Sequence, residues 1–492
     1  MSQYPQAPAC CPVVPTMRGA ALPAPTGVRQ VPLRPARLRL LLGGLAAAVF
    51  MTACGSGDDE EPAPPAPPPV TGPVEPDVER GTLLASTPYL TRTRAQIDDL
   101  TASGLEGLLL REVVGEARCD VELHAIEYQT VGGAGEPVNA TGGVAIPVGD
   151  DPGCKTPRSL VMWAHGTDAG RDYSVLTSEE VFGGIALAVL AAHGYVVVAP
   201  DYTGYGGSTL DYHPYLNAQA QSADAIDSLR ATRQVLAARG EPPPQALYLT
   251  GYSQGGYVAM ATHREIESSH ADEFTVDASF PMSGPYALGY TLDRMLGGDP
   301  TDGASRLLPF LVESYQRAYG NVFNSPAELF VPPYDQSAIG LFPGDIGSNG
   351  AIERGLLPAA LLASEGQPFL MQPAYVDNFL LDPANGLRQD VAANDLRGWA
   401  PAGRMAMCGG AEDTVVYFEN TLLARQAFAT AGVPVTVYDF DSGATIPGGT
   451  DGSLYLNFRS LFVLPGNEDA YHIALAPFCA RIARDFFAGL VP

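Results

Sequence analysis

Ser253 lies in Gly251-Tyr252-Ser253-Gln254-Gly255-Gly256, with a short apolar run at 245–250 before it and a helical pattern at 257–265 after it. Strand, Gly-x-Ser-x-Gly, helix is the nucleophile elbow, a turn so tight that side chains two residues either side of the serine would meet neighbouring chain. The turn lifts the hydroxyl above the sheet edge and aims the Gln254 amide, at a helix N-terminus, toward an oxyanion. A serine hydroxyl is too weak an acid to attack an ester unaided. It needs a histidine base, and that base needs a carboxylate to fix its tautomer. Downstream of Ser253 the histidines are His263, His270 and His472. The first two fall on or just after the nucleophile helix, which leaves His472, read as part of a loop after the last strand. For the acid, Asp413 follows a strand end in Gly410-Ala411-Glu412-Asp413; Glu412, Asp439 and Asp441 are further candidates. Taken singly these are an ordinary turn, a surface acid and a loop histidine. Serine, acid and histidine in this order at successive strand ends carry the assignment.

A second chemical stretch is His165-Gly166-Thr167-Asp168, at the end of an apolar strand at 158–164. In a chain with a nucleophile elbow the loop after such a strand is expected to supply the second oxyanion amide, which makes Thr167 the candidate, with Asp168 as its neighbouring alternative. His165 precedes the nucleophile and is read as structural. Asp201-Tyr202-Thr203-Gly204-Tyr205-Gly206-Gly207 follows another buried strand, where ligand crevices of parallel sheets form. Tyr202, Tyr205 and Tyr252 are therefore substrate-binding candidates, with loop packing the equal alternative for Tyr202 and Tyr205.

The elements that must position these residues can be read in order. Strand and helix pieces at 84–89 and 91–110 lead in. Period-two alternation at 120–130, the turn Gly132-Gly133-Ala134-Gly135 and a return at 139–147 form a hairpin. Strand and helix then alternate: strands at 158–164, 195–200, 245–250 and 274–279, and helices at 185–192 and 218–239. From 286 to 399 the alternation stops. Short helical pieces separated by Gly- and Pro-rich connections suggest a helical cap over the site. Strands return at 403–410 and 433–440, with a helix at 417–431 between them and a closing helix at 473–490. Residues 79–285 and 400–492 make the catalytic domain, and the fold expected is α/β, a mostly parallel sheet flanked by helices.

Both ends of the composition carry information. Arg29, Arg34, Arg37 and Arg39 precede an apolar run at 40–50, followed by Met51-Thr52-Ala53-Cys54, the pattern of a secretory signal over residues 1–54. Cys54 sits where a bacterial lipobox places its lipid-modified cysteine, which predicts an exported envelope lipoprotein, or a secreted protein if Cys54 is not modified. Translation from Met17 would shorten the long basic region. Residues 55–78 are rich in Pro, Asp and Glu and read as an unfolded tether. Five of the 28 basic residues precede Cys54 and no acidic one does, so the chain from Cys54 onward carries 23 against 54, a net charge of −31. That excludes nucleic acid as a partner, because phosphate binding needs clustered Lys and Arg. Cys119, Cys154, Cys408 and Cys479 remain beyond the targeting region. Three pairings are possible, and the strand and helix positions favour Cys119–Cys154 and Cys408–Cys479. No metal-ligand spacing is present.

Ala164-His165-Gly166-Thr167, Ala199-Pro200-Asp201-Tyr202, Gly204-Tyr205-Gly206 and the elbow itself resemble the secretory lipases of the α/β-hydrolase superfamily, over roughly residues 80–490. The resemblance implies a helical cap after the sixth strand and hydrolysis of carboxylic esters, small-molecule or lipid, by a monomer with no cofactor. Gln254-Gly255-Gly256 is also similar to prolyl oligopeptidase-type peptidases, whose β-propeller would have to fit before the elbow. A non-catalytic surface lipoprotein on the same scaffold is the remaining alternative.

Overall fold

In the computed structural model, residues 79–100, 110–156, 158–346, 348–461 and 470–491 are described. The signal region, Cys54 and the tether at 55–78 lie outside them. Nine strands form one sheet among the described residues: β1 (Leu83–Arg92), β2 (Asp120–Val131), β3 (Pro137–Val148), β4 (Leu160–Ala164), β5 (Val196–Pro200), β6 (Leu247–Tyr252), β7 (Ala278–Met282), β8 (Arg404–Gly409) and β9 (Thr436–Asp439). Their order across the sheet is β1-β2-β3-β5-β4-β6-β7-β8-β9. The first three strands and β5 pair antiparallel, and every pair from β5 to β9 is parallel. The described residues before the elbow are thus taken up by the sheet and its helices, and they contain no propeller.

Alternation within the buried strands sorts the core into two layers. Leu160, Met162, Ala164, Val196 and Val198 face one side, together with helices α3 (Ala218–Ala238) and α4 (Gln254–Ser269). Val161, Trp163, Val197 and Ala199 face the other, against helix α2 (Ile185–Val189) and the C-terminal helix α13 (Tyr471–Phe487). A short helix α1 (Arg94–Leu100) precedes β2. Because both faces are covered, the central strands read as unbroken apolar runs, as parallel strands do.

Among the boundaries that differ from the sequence reading, two bear on the site. The strand expected at 274–279 runs instead from Ala278 to Met282, and its ladder with β8 skips from Ser279 to Met282. Pro281 lies in that gap and has no N–H to donate. The closing helix begins at Tyr471, so His472 stands in its first turn rather than in a loop.

The segment 286–399 follows β7, the seventh strand in chain order, because β1 adds an edge strand before the hairpin. It holds α5 (Leu288–Leu296), α6 (Ala304–Tyr319), α7 (Pro326–Leu329), α8 (Ser348–Glu353), α9 (Pro373–Leu381) and α10 (Gly386–Ala393). Leu292, Leu308, Phe330, Phe379 and Leu396 share one apolar core with α3 and α4. Tyr315 donates a hydrogen bond to Leu216 O at 3.0 Å and Tyr257 of α4 donates one to Asn394 O at 2.8 Å, which fastens the segment further. Two helices then complete the chain before α13: α11 (Glu419–Thr430) and α12 (Ser453–Leu461).

Candidate active site

Ser253 adopts φ 58° and ψ −120°, a conformation that costs a non-glycine residue free energy and that only surrounding structure can impose. What imposes it is the close approach of β6 and α4 to β4. A Cβ on Gly251 would lie 2.5 Å from Ala164 O, and one on Gly255 only 1.9 Å from the same atom. The Ser253 N–H donates to Met282 O at 2.9 Å, tying the turn to β7.

Three elements far apart in sequence converge on this serine. His472 Nε2 is 2.9 Å from Ser253 Oγ, and His472 Nδ1 is 2.7 Å from Asp413 Oδ2. The other carboxylate oxygen of Asp413 accepts the Val415 and Val416 N–H groups at 2.9 and 3.0 Å, so the loop after β8 locks the carboxylate's orientation. With Asp413 accepting at Nδ1–H, the Nε2 lone pair is left facing the serine hydroxyl. Tyr252, next to the serine, donates its hydroxyl to the His472 carbonyl and packs its ring 5.0 Å from the imidazole.

The rival acids and bases are occupied elsewhere. Glu412 pairs with Arg459 at 3.1 Å. Asp441 accepts from Glu412 N and Tyr471 Oη, and Asp439 accepts from Asp441 N. His263 lies between Ser279 Oγ and Glu267 at 2.8 and 2.9 Å, and His270 sits beside Arg230.

Ser253, His472, Gln254, Thr167 and Tyr252 all border one cavity of about 720 Å³. Its walls include Ile185, Ala188 and Pro477 on one side and Asp302, Arg306 and Leu307, from the 286–399 segment, on another. Tyr202 and Tyr205 do not border it, which corrects their assignment as substrate-binding residues. Both are essentially buried. Tyr202 stacks on His165 at 4.1 Å and donates to its carbonyl, and Tyr205 packs on His213 at 4.6 Å and donates to Asp168 O. Burial of both rings is the packing outcome that sequence could not separate from a pocket. His165 is likewise internal; desolvation pushes its imidazole down to about 4, so it is neutral, and its Nδ1 lies 2.6 Å from Gly166 O. Of the two candidates for the second oxyanion amide, Thr167 borders the cavity, beside Gly166 and Ala169, and Asp168 does not.

Two wall residues that hydrogen-bond the loop after β4 escaped sequence reasoning. Tyr215 accepts the Thr167 hydroxyl at 3.1 Å and stacks on Phe310 of α6 at 4.8 Å. Glu180 accepts the Gly166 N–H. Neither belongs to a motif, and nothing in their local sequence marks them.

Cys119 pairs with Cys154 and Cys408 with Cys479, as the element positions favoured. The second bridge ties β8, just before Asp413, to α13, which carries His472.

Residues 160–456 match the model of a family described as alpha/beta hydrolases. Among solved structures, a ligand-bound form of the rice cell wall degrading esterase LipA from Xanthomonas oryzae is 32% identical, with a TM-score of 0.70. The match covers 82% of this chain and 98% of that one. A putative hydrolase from Legionella pneumophila (21% identity, TM-score 0.65, 83% and 98% covered) and lipase A of Candida antarctica (12%, 0.50, 75% and 80%) share the fold. No curated protein sequence matches significantly.

Proposed function

Because this chain belongs to the alpha/beta hydrolase family, we propose that it hydrolyses carboxylic esters through Ser253, His472 and Asp413 and an acyl-enzyme intermediate. The observation that carries the reading is the unbroken hydrogen-bonded line Ser253–His472–Asp413 at the wall of an open cavity. Its likeness to an esterase at 32% identity supports ester cleavage in particular.

His472 Nε2 takes the proton as Ser253 Oγ bonds to the ester carbonyl carbon, and Asp413 stabilises the imidazolium that results. The carbonyl oxygen becomes an oxyanion between the Gln254 and Thr167 amides. Collapse breaks the bond to the alcohol, which leaves with the proton from His472. Water, deprotonated by the same nitrogen, then releases the acid. The apolar wall at Ile185, Ala188 and Pro477 suits an acyl chain, so the substrate class is a small-molecule or lipid ester.

The two disulfides favour an oxidising compartment, consistent with export. Anchoring through a lipid on Cys54, with 55–78 as tether, is part of the proposal. None of the helices among the described residues is long and apolar enough to cross a membrane. Replacing Ser253 by Ala tests the reading: hydrolysis of p-nitrophenyl esters falls to background in a folded protein, and retained turnover would refute it.

A further inference from the structure

Glu180 borders the cavity, yet the reaction described above gives it no task. Its two carboxylate oxygens accept the Gly166 N–H at 2.9 and 3.0 Å. Contact is close on both sides of that glycine: a Cβ at 166 would lie 3.1 Å from Glu180 Oε2 and 3.7 Å from Tyr252 O. The peptide that follows joins Gly166 to Thr167. Its carbonyl is drawn to His165 Nδ1 at 2.6 Å, and in a planar trans peptide the N–H points the opposite way from the C=O. Holding Gly166 from its N–H and its carbonyl therefore sets the direction of the Thr167 N–H. The Tyr202 hydroxyl fixes the preceding carbonyl, and Tyr215 takes the Thr167 hydroxyl. Glu180 supplies the one contact in this set that comes from a carboxylate.

That choice is costly. Among the described residues Glu180 has no ion-pair partner, and desolvation raises its carboxyl to about 7. A negative charge near a developing oxyanion also opposes it, so any benefit has to come from reach and geometry.

We propose that Glu180 is a positioning residue, which by gripping the Gly166 N–H keeps the Thr167 amide aimed at the oxyanion formed on Ser253. This rests on the ester-hydrolase reading above. The oxyanion exists only after substrate binds, so a misaimed amide lowers kcat and leaves KM in place.

Two conservative variants separate reach from charge. Glu180→Gln keeps the length and an acceptor oxygen; its kcat stays within about threefold of the parent, or exceeds it. Glu180→Asp keeps the charge but withdraws the acceptor by one methylene. Its kcat falls roughly tenfold or more at unchanged KM, since losing a whole oxyanion donor costs about 10²–10³. Both are measured on p-nitrophenyl butyrate beside Ser253→Ala, with melting temperatures recorded. An aspartate variant with parental kcat, or a glutamine variant as slow as the aspartate one, overturns the inference. So does a change confined to KM, and so does a variant that does not fold, which would make Glu180 a folding residue. Activity surviving in Ser253→Ala would instead remove the reading on which it rests.

Discussion

At the scale of the residue, the site is three hydrogen-bonding groups whose partners leave them one geometry each. Asp413 accepts two backbone amides with one oxygen and His472 with the other. Replacing it by Asn leaves the loop contacts largely intact but offers an amide donor to His472 Nδ1, which selects the wrong tautomer. We expect kcat to fall by about 10⁴, as loss of a triad carboxylate does. Glu412 provides no rescue because its carboxylate is tied to Arg459. Steady-state kinetics with a chromogenic ester check this, and a loss of less than tenfold would assign the acid elsewhere. The three residues of the proposed triad, which the structure brings into one hydrogen-bonded line, could be singled out in the sequence because chain order and elimination left so few choices. Tyr202 and Tyr205 could not be read in this way, since a tyrosine at a strand end looks the same whether it faces a cavity or the core. Glu180 was not legible either. A carboxylate that acts through a backbone N–H carries no motif.

At the scale of the element, helix α3 pins the loop after β5 from below. Buried Asp224 accepts the Tyr128 hydroxyl at 2.7 Å and the Thr203 N–H at 3.0 Å. Desolvation raises its carboxyl from 3.8 to about 7. A folded-state pKa above the unfolded one means the folded chain holds a proton that the unfolded chain has already lost. The stability this contributes is present at low pH and is lost as pH rises through about 7. The melting temperature should therefore drop between about pH 4 and 7 and level off above that, and drop less in Asp224→Asn, where nothing at this position titrates. Equal slopes in thermal melts of the two proteins would contradict that. Element type and order could be read from periodicity, but the edges of β7 and α13 could not. Pro281 interrupts only one of the two ladders β7 makes, and α13 begins two residues before its apolar pattern does. Nor did the pattern reveal that the 286–399 segment shares its core with α3 and α4. Local periodicity does not say which apolar faces meet.

At the scale of the whole molecule, a long acidic chain brings together a serine, an acid and a base spread over 219 residues, and the Cys408–Cys479 bridge joins the supports of the last two. It closes a sequence separation of 71, worth about 4 kcal/mol in the chain-entropy account of the unfolded state. Cys408→Ser should lower the melting temperature by several degrees and lower activity before unfolding, because β8 and α13 can then shift apart. Parental activity up to the melting transition would show that the bridge serves stability alone. The central claim is that Ser253 is the nucleophile of this site. Treating the protein with a p-nitrophenyl alkylphosphonate and mapping the digest by mass spectrometry tests it most directly. A single adduct is expected on the peptide containing Ser253, formed in step with loss of ester hydrolysis and absent from Ser253→Ala. An adduct on another residue that tracks the loss, or full hydrolysis by a protein already modified at Ser253, would contradict it.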